Sequence, residues 1–221
     1  MNVNNPFLFI TPRNSDVLVG RHSFLETLEK KVLESLDTHA IIAVNGPFGI
    51  GKSQFIYKII EDLKTRKNIK IFNFDFNLNT LNDLRSVPHE KDLKKQIIIV
   101  IDRFELIESL TKEIQHKVLN VMAELCDAKD TFILETSSDL IKKVADVEPN
   151  VKKYFNIINV PQMNYDEVKK LIYTRLNEVR KDKSESINPF TEEEVKMIHK
   201  QSKGNPRMVL MLCASLYEKK N

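Results

Sequence analysis

Glycine is scarce, at 5 of 221 residues, and proline little commoner at 8, which leaves no room for long flexible or collagen-like segments. Only two cysteines occur, Cys126 and Cys213, each standing singly in an apolar helical stretch. That excludes a disulfide framework and a cysteine-based metal site, and it suits a reducing compartment. The five histidines are scattered without the paired spacing of a metal site. No charge sign dominates, because 34 Lys and Arg stand against 31 Asp and Glu. The balance permits nucleic acid without implying it. The apolar run Ile97 to Ile101 falls far short of the ~20 residues of a membrane helix. Met1 to Ile10 lacks the basic start of a targeting peptide. The expectation is therefore an intracellular, cytoplasmic protein (nuclear if eukaryotic) with no membrane partner.

What is present describes an ordinary globular chain, 42% hydrophobic and 29% charged, long enough for one large domain or a modest domain with a small companion. Strand and helix patterns alternate. Phe24, Leu25, Leu28, Val32, Leu33 and Leu36 recur at helical spacing, and Ala40 to Val44 then forms a short apolar run before a Gly-bearing loop. Phe55, Ile56, Ile59, Ile60 and Leu63 give a second amphipathic helix, followed by a strand over Ile69 to Phe76. The polar stretch Asn77 to Lys95, which contains Pro88, holds at most a short helix around Leu81 to Leu84. Gln96 to Ile101 must be a central strand. A long helix marked by Leu110 through Leu125, a strand over Thr131 to Glu135, a helix over Asp139 to Val147 and a strand over Phe155 to Val160 complete the series. Five strands with interleaved helices predict an α/β sandwich on a mostly parallel sheet, spanning residues 1–161.

From Pro161 onward the pattern is wholly helical, which predicts a small lid subdomain over 162–221. Asn164 with Glu167, and Thr191 with Glu194, are spaced as helix-capping pairs. Gly204 stops one helix and Pro206 suits the first turn of the last. The mixed-sign stretch beginning at Arg180 reads as a solvated linker.

Gly46, Pro47, Phe48, Gly49, Ile50, Gly51, Lys52 and Ser53 match G-x-x-x-x-G-K-[ST] between a predicted strand and a predicted helix. In that setting the glycines let backbone N–H groups point at phosphate oxygens and the helix N-terminus adds a positive end. Lys52 would reach the β- and γ-phosphates and the Ser53 hydroxyl would ligate Mg²⁺. A nucleoside triphosphate with Mg²⁺ is the expected ligand. The apolar run Ile97 to Ile101 delivers Asp102 at its C-terminal end, where α/β sheets bind ligands, so Asp102 is the second expected Mg²⁺ group. Hydrolysis also needs a carboxylate to orient water. Arg103 stands directly after the aspartate, so Glu105 is the nearest candidate, with Glu108 behind it.

Taken together these residues resemble the AAA+ ATPase module over nearly the whole chain. Asn5-Pro6-Phe7 and Leu18-Val19-Gly20-Arg21 are similar to the N-terminal segment that wraps the adenine in many AAA+ and STAND-type ATPases. Thr136-Ser137-Ser138 looks like sensor 1, with Thr136 the first choice and Ser137 the reserve, and Gly204-Asn205-Pro206-Arg207 looks like sensor 2, with Arg207 reaching the γ-phosphate. The resemblance therefore implies ATP or ADP contacts from Val19, Gly20, Arg21, from Gly46 through Ser53, from Gln54 and from Arg207. It implies catalytic roles for Lys52, Asp102, Glu105, Thr136 and Arg207. Within AAA+, the motifs look most similar to the branch of origin-recognition initiators, transposition ATPases and STAND switches.

The chain departs from that branch in three places. Arg103 replaces the usual glutamate, Lys152 and Lys153 stand where an arginine finger is common, and Asn77 to Lys95 is too short for the initiators' DNA-engaging insertion. A lysine supplies charge but not the planar fork. The implied function is an ATPase whose nucleotide state controls assembly with like or unlike AAA+ subunits, with DNA a weaker candidate partner. The alternative is a slow STAND-like regulatory module that holds ATP as a clamp.

Overall fold

The computed structural model describes residues 5–8, 18–77, 79–87 and 95–220. Pro88 and its neighbours in 88–94 lie outside the described residues. The elements run α1 (His22–Thr38), β1 (Ile41–Asn45), α2 (Lys52–Lys64), β2 (Ile69–Asp75), α3 (Thr80–Arg85), β3 (Gln96–Asp102), α4 (Lys112–Asp127), β4 (Thr131–Thr136), α5 (Ser138–Val147), β5 (Phe155–Asn159), α6 (Tyr165–Leu176), α7 (Glu192–Ser202) and α8 (Pro206–Lys220). The chain divides into two compact units, one of residues 24–47 and 55–160 and one of residues 1–23, 48–54 and 161–221. The break at Pro161 falls where helical periodicity takes over from alternation. Residues 1–23 and 48–54, grouped with the sheet in the sequence reading, group instead with the last helices.

The sheet unit holds five strands in the order β2-β3-β4-β1-β5. Every pairing is parallel, so helices must carry the chain back across the sheet. Ile41 of β1 lies beside Phe132 on one side and Phe155 on the other. Both faces of the inner strands are covered, which explains why β1 is buried throughout and β3 reads as an unbroken run of Ile and Val. Ile99, Ile101, Phe104, Phe132 and Leu134 are fully enclosed in the apolar cluster of the sheet unit. Each such side chain contributes ~1.5–3 kcal/mol on burial.

Two elements depart from the sequence expectation. Phe104–Ser109 forms a 3₁₀ helix directly after β3, and Pro149–Tyr154 another before β5. Leu110 consequently precedes the long helix, which Thr111 starts by accepting a hydrogen bond from the Ile114 N–H. Ser137 caps α5 in the same way through the Leu140 N–H.

The helical unit packs Val168, Ile172, Val195, Ile198, Val209 and Cys213 into its own apolar cluster. Phe7 joins it edge-on to Phe190 and Tyr217, with ring centroids 5.5 and 5.7 Å away. Asn5 donates to the carbonyl of Ala214 at 3.2 Å, so the N-terminal segment is fastened to α8. Both capping boxes expected from sequence are formed, at Asn164 with Glu167 and at Thr191 with Glu194. Both cysteines are buried free thiols, and burial pushes each up to about 12. Among the described residues no helix is long and apolar enough to cross a membrane, and no group of three His, Cys, Asp or Glu side chains could hold a metal.

Candidate nucleotide site

The loop Gly46–Gly51 links the end of buried β1 to α2, whose first residues are Lys52 and Ser53. Two of its glycines are required by geometry. Gly51 has φ +101°, and a Cβ there would stand 3.2 Å from Arg21 Nη2. Gly49 has φ +82°, and a Cβ would press within 2.6 Å of the Arg207 Cβ. A side chain at either position would be strained and crowded. Ile50 between them is fully buried, which anchors the loop, while Phe48 projects with 78% of its surface exposed. The turn ends at the N-terminus of a 13-residue helix, where first-turn N–H groups, which have no partner within the helix, and the helix dipole favour an anion. Lys52 is half-buried and Ser53 exposed.

Within the helical unit, three groups hold the carbonyl side of this loop. Asn205 Nδ2 donates to the Phe48 carbonyl at 2.9 Å, the Arg207 N–H to the Gly49 carbonyl at 3.3 Å, and Arg21 Nη1 to the Ile50 carbonyl at 2.7 Å. Asn205 also caps α8, its Oδ1 accepting from the N–H groups of Arg207 and Met208. The Arg207 guanidinium lies over the Phe48 ring, 4.4 Å from its centroid. Arg21 is only 6% exposed, and burial brings its guanidinium down to about 10 against the opposing pull of Glu167.

Within the sheet unit, β2 and β3 end in register at Asp75 and Asp102. Asp102 is half-buried and its Oδ1 accepts from the Arg103 N–H at 2.9 Å. Arg103 takes a left-handed conformation, φ 55°, which turns its side chain onto Asp75. Nε donates to Asp75 Oδ1 at 2.6 Å and Nη2 to Oδ2, a two-pronged clamp whose hydrogen bonds raise the arginine's pKa. Glu105 sits exposed on the 3₁₀ helix. Thr136 is buried and its hydroxyl donates to the Ser137 carbonyl at 3.1 Å. Ser137 instead lines an open cleft of about 360 Å³ with Asn45, Gly46, Pro47, Asp139, Asn159 and Val160. Asn45 Nδ2 donates to Asn159 Oδ1 at 2.6 Å, tying the ends of β1 and β5.

The donor set fits a phosphate chain: glycine turns without room for side chains, a helix N-terminus, a lysine and a hydroxyl. The sequence profile described as AAA domain matches residues 38–169. The chain belongs to the AAA domain family. As an AAA+ P-loop module it shares its fold with the Aeropyrum pernix Orc1 protein solved in complex with DNA. That match has 16% identity and a TM-score of 0.63, and covers 99% of this chain and 65% of that one. A Walker-type ATPase of Pyrococcus abyssi is similar at 14% identity and TM-score 0.62, covering 98% of this chain and 72% of the other. An uncharacterized HTH-type transcriptional regulator of Methanocaldococcus jannaschii is 34% identical over 79 residues, 35% of this chain. The AAA domain chain thus spans 19% of that regulator and about two-thirds of the Orc1 protein.

For this AAA domain, the sequence-derived residues fall into two groups. Val19, Gly20, Arg21, Phe48 through Gln54 and Arg207 belong to the helical unit, and Gly46, Pro47, Asp102, Glu105 and Thr136 to the sheet unit. Val19 is buried in the helical unit's apolar cluster. Sequence reasoning missed Asp75, Asn45 and Asn159. Their only signal is a polar residue closing an apolar strand, which becomes specific once the sheet order is known. It also missed Glu167 as more than a capping residue: besides Asn164, this carboxylate accepts from the Arg21 N–H at 2.5 Å.

Proposed function

We propose that this AAA domain binds ATP with Mg²⁺, hydrolyses it, and uses nucleotide state to control assembly with other AAA+ subunits. The observation that carries this reading is the loop Gly46–Ser53, curled between a buried strand and a helix start with its carbonyls held from outside. In this reading the loop N–H groups and Lys52 take the phosphates, Ser53 and Asp102 hold Mg²⁺, and Val19 and Gly20 border the base. Bound Mg²⁺ would neutralise charge on the terminal phosphates. Glu105 orients water, Thr136 or Ser137 supplies a hydroxyl donor, and Arg207 adds a cation at the γ-phosphate. A setting in DNA replication, transposition or a related DNA transaction is part of the same proposal, and contact with DNA draws support from the fold shared with an Orc1 protein solved in complex with DNA.

One observation favours a second reading, a slow nucleotide clamp. The position that usually carries the water-activating glutamate holds Arg103, and that arginine is engaged by Asp75. The test is ATP binding and turnover at rising protein concentration, with Lys52→Ala alongside. Turnover that climbs with concentration and disappears in Lys52→Ala supports the ATPase, and tight binding without turnover selects the clamp. Unchanged affinity and turnover in Lys52→Ala would reject the phosphate-loop assignment.

A further inference from the structure

Three successive carbonyls of the phosphate loop are each held by a donor of the helical unit: Phe48 by the Asn205 amide, Gly49 by the Arg207 N–H and Ile50 by the Arg21 guanidinium. A trans peptide is planar, with its N–H directed opposite to its C=O. Fixing these three carbonyls therefore turns the N–H groups of Gly49, Ile50 and Gly51 the other way. Consecutive N–H groups converging on one side make an anion-binding concavity.

We propose that Arg21 is a positioning residue of the phosphate loop, the strut that keeps these N–H groups directed at phosphate, and not a group that touches the base. Its surroundings match a strut. The same Nη1 that bonds Ile50 also reaches the Pro161 carbonyl at 3.3 Å, so Arg21 joins the loop to the chain entering the lid helices. Its backbone N–H bonds Glu167, whose second oxygen closes the capping box of α6. Nη2 borders the space a Cβ at Gly51 would take. The left-handed backbone at Arg21, φ 53°, aims the side chain at this junction. Enclosing a cation is costly unless it is hydrogen-bonded, and here carbonyl oxygens of two segments both accept from Nη1. A lysine ammonium lacks the planar group that here bonds two carbonyls through Nη1 while Nη2 lies against Gly51.

This inference rests on the nucleotide reading for its consequence, but its geometry is tested without nucleotide. In the nucleotide-free protein, Arg21→Gln and Arg21→Lys should each raise amide hydrogen exchange across residues 48–53 at least about tenfold, Gln more than Lys, with β1 and β3 unchanged. Unchanged loop exchange in both variants overturns the proposal. With Mg²⁺ present, Arg21→Gln should weaken ADP and ATP by the same factor, about tenfold or more, while adenosine binding shifts less than about twofold. Arg21→Lys should recover part of the loss. An equal loss for adenosine would mean a base contact and a loss confined to ATP a γ-phosphate contact, and either refutes the strut. Should Arg21→Gln fail to fold by thermal unfolding, Arg21→Lys carries the same comparisons. A wild-type protein that binds none of these nucleotides sinks the nucleotide reading, and the exchange experiment still judges the strut.

Discussion

Asn205 performs two tasks that can be separated by two substitutions. Its Oδ1 accepts from the N–H groups of Arg207 and Met208, and its Nδ2 donates to the Phe48 carbonyl. Asn205→Ala removes both. Loss of an N-cap costs about 1 kcal/mol and loss of a partly exposed hydrogen bond about 0.5–1.5 kcal/mol, for a total of about 2 kcal/mol. For a chain of this size each kcal/mol lowers Tm by about 2–4 °C, so Asn205→Ala should melt about 4–8 °C below wild type. Asn205→Asp keeps the cap and adds a favourable charge at the helix N-terminus, worth about 0.3–1 kcal/mol, but it loses the donor and sets a carboxylate against a carbonyl. It should therefore melt near wild type while exchange of the phosphate-loop amides accelerates. Differential scanning fluorimetry with hydrogen exchange measures both quantities. If Asn205→Asp melts as low as Asn205→Ala, capping is not what stabilises α8. If its loop exchange stays at the wild-type rate, the Phe48 bond holds nothing.

Arg103→Glu restores a carboxylate at the position where general-base assistance is typically worth about 10²–10⁴ in rate, so ATP turnover should rise by at least about a hundredfold. The gain should be larger with Asp75→Asn, which removes the facing negative charge; a double variant that binds ATP but turns over no faster refutes the role assigned to Arg103. Glu192 and Glu194 at the start of α7 have carboxyls held below their ordinary value of 4.5, the first by Lys169 and Tyr165, the second by Lys220. A carboxylate depressed in the folded state contributes stability above its unfolded value and loses it as pH falls through the folded value. The helical unit should accordingly weaken below about pH 4.5, read from the circular dichroism of urea melts, and Glu192→Gln with Glu194→Gln should flatten that dependence. A slope unaltered in the double variant would show that other groups carry it.

The sheet was legible because a strand covered on both faces must be apolar along its length, and Ile97 to Ile101 and Ala40 to Val44 satisfy that with no competing helical period. The phosphate loop was legible because its steric demands leave few residues to choose from. The 3₁₀ helix Phe104–Ser109 was not, since its two buried positions, Phe104 and Ile107, fit the start of an ordinary helix equally well. Asp75 was illegible for another reason. Its partner lies 28 positions away and meets it only through the register of β2 against β3. Arg21 stands in a motif that pointed toward the base, and nothing local in the sequence says that its side chain would turn to the Ile50 carbonyl instead. Grouping of residues 1–23 and 48–54 with the last helices is likewise a property of packing, carried by contacts such as Phe7 on Phe190.

The strand order has a consequence for how this chain is made. The ribosome delivers β1 early, yet both neighbours of β1 in the finished sheet, β4 and β5, are delivered late. Until Phe132 and Phe155 have emerged, Ile41 to Val44 has unpaired edges on both sides, an apolar segment open to mispairing with other nascent chains. Such late, long-range closure slows folding, because loop entropy is lost before the pairing rewards it. Any product shortened before Phe155 would carry an open strand edge at β1 and should be recovered in the insoluble fraction or bound to chaperones.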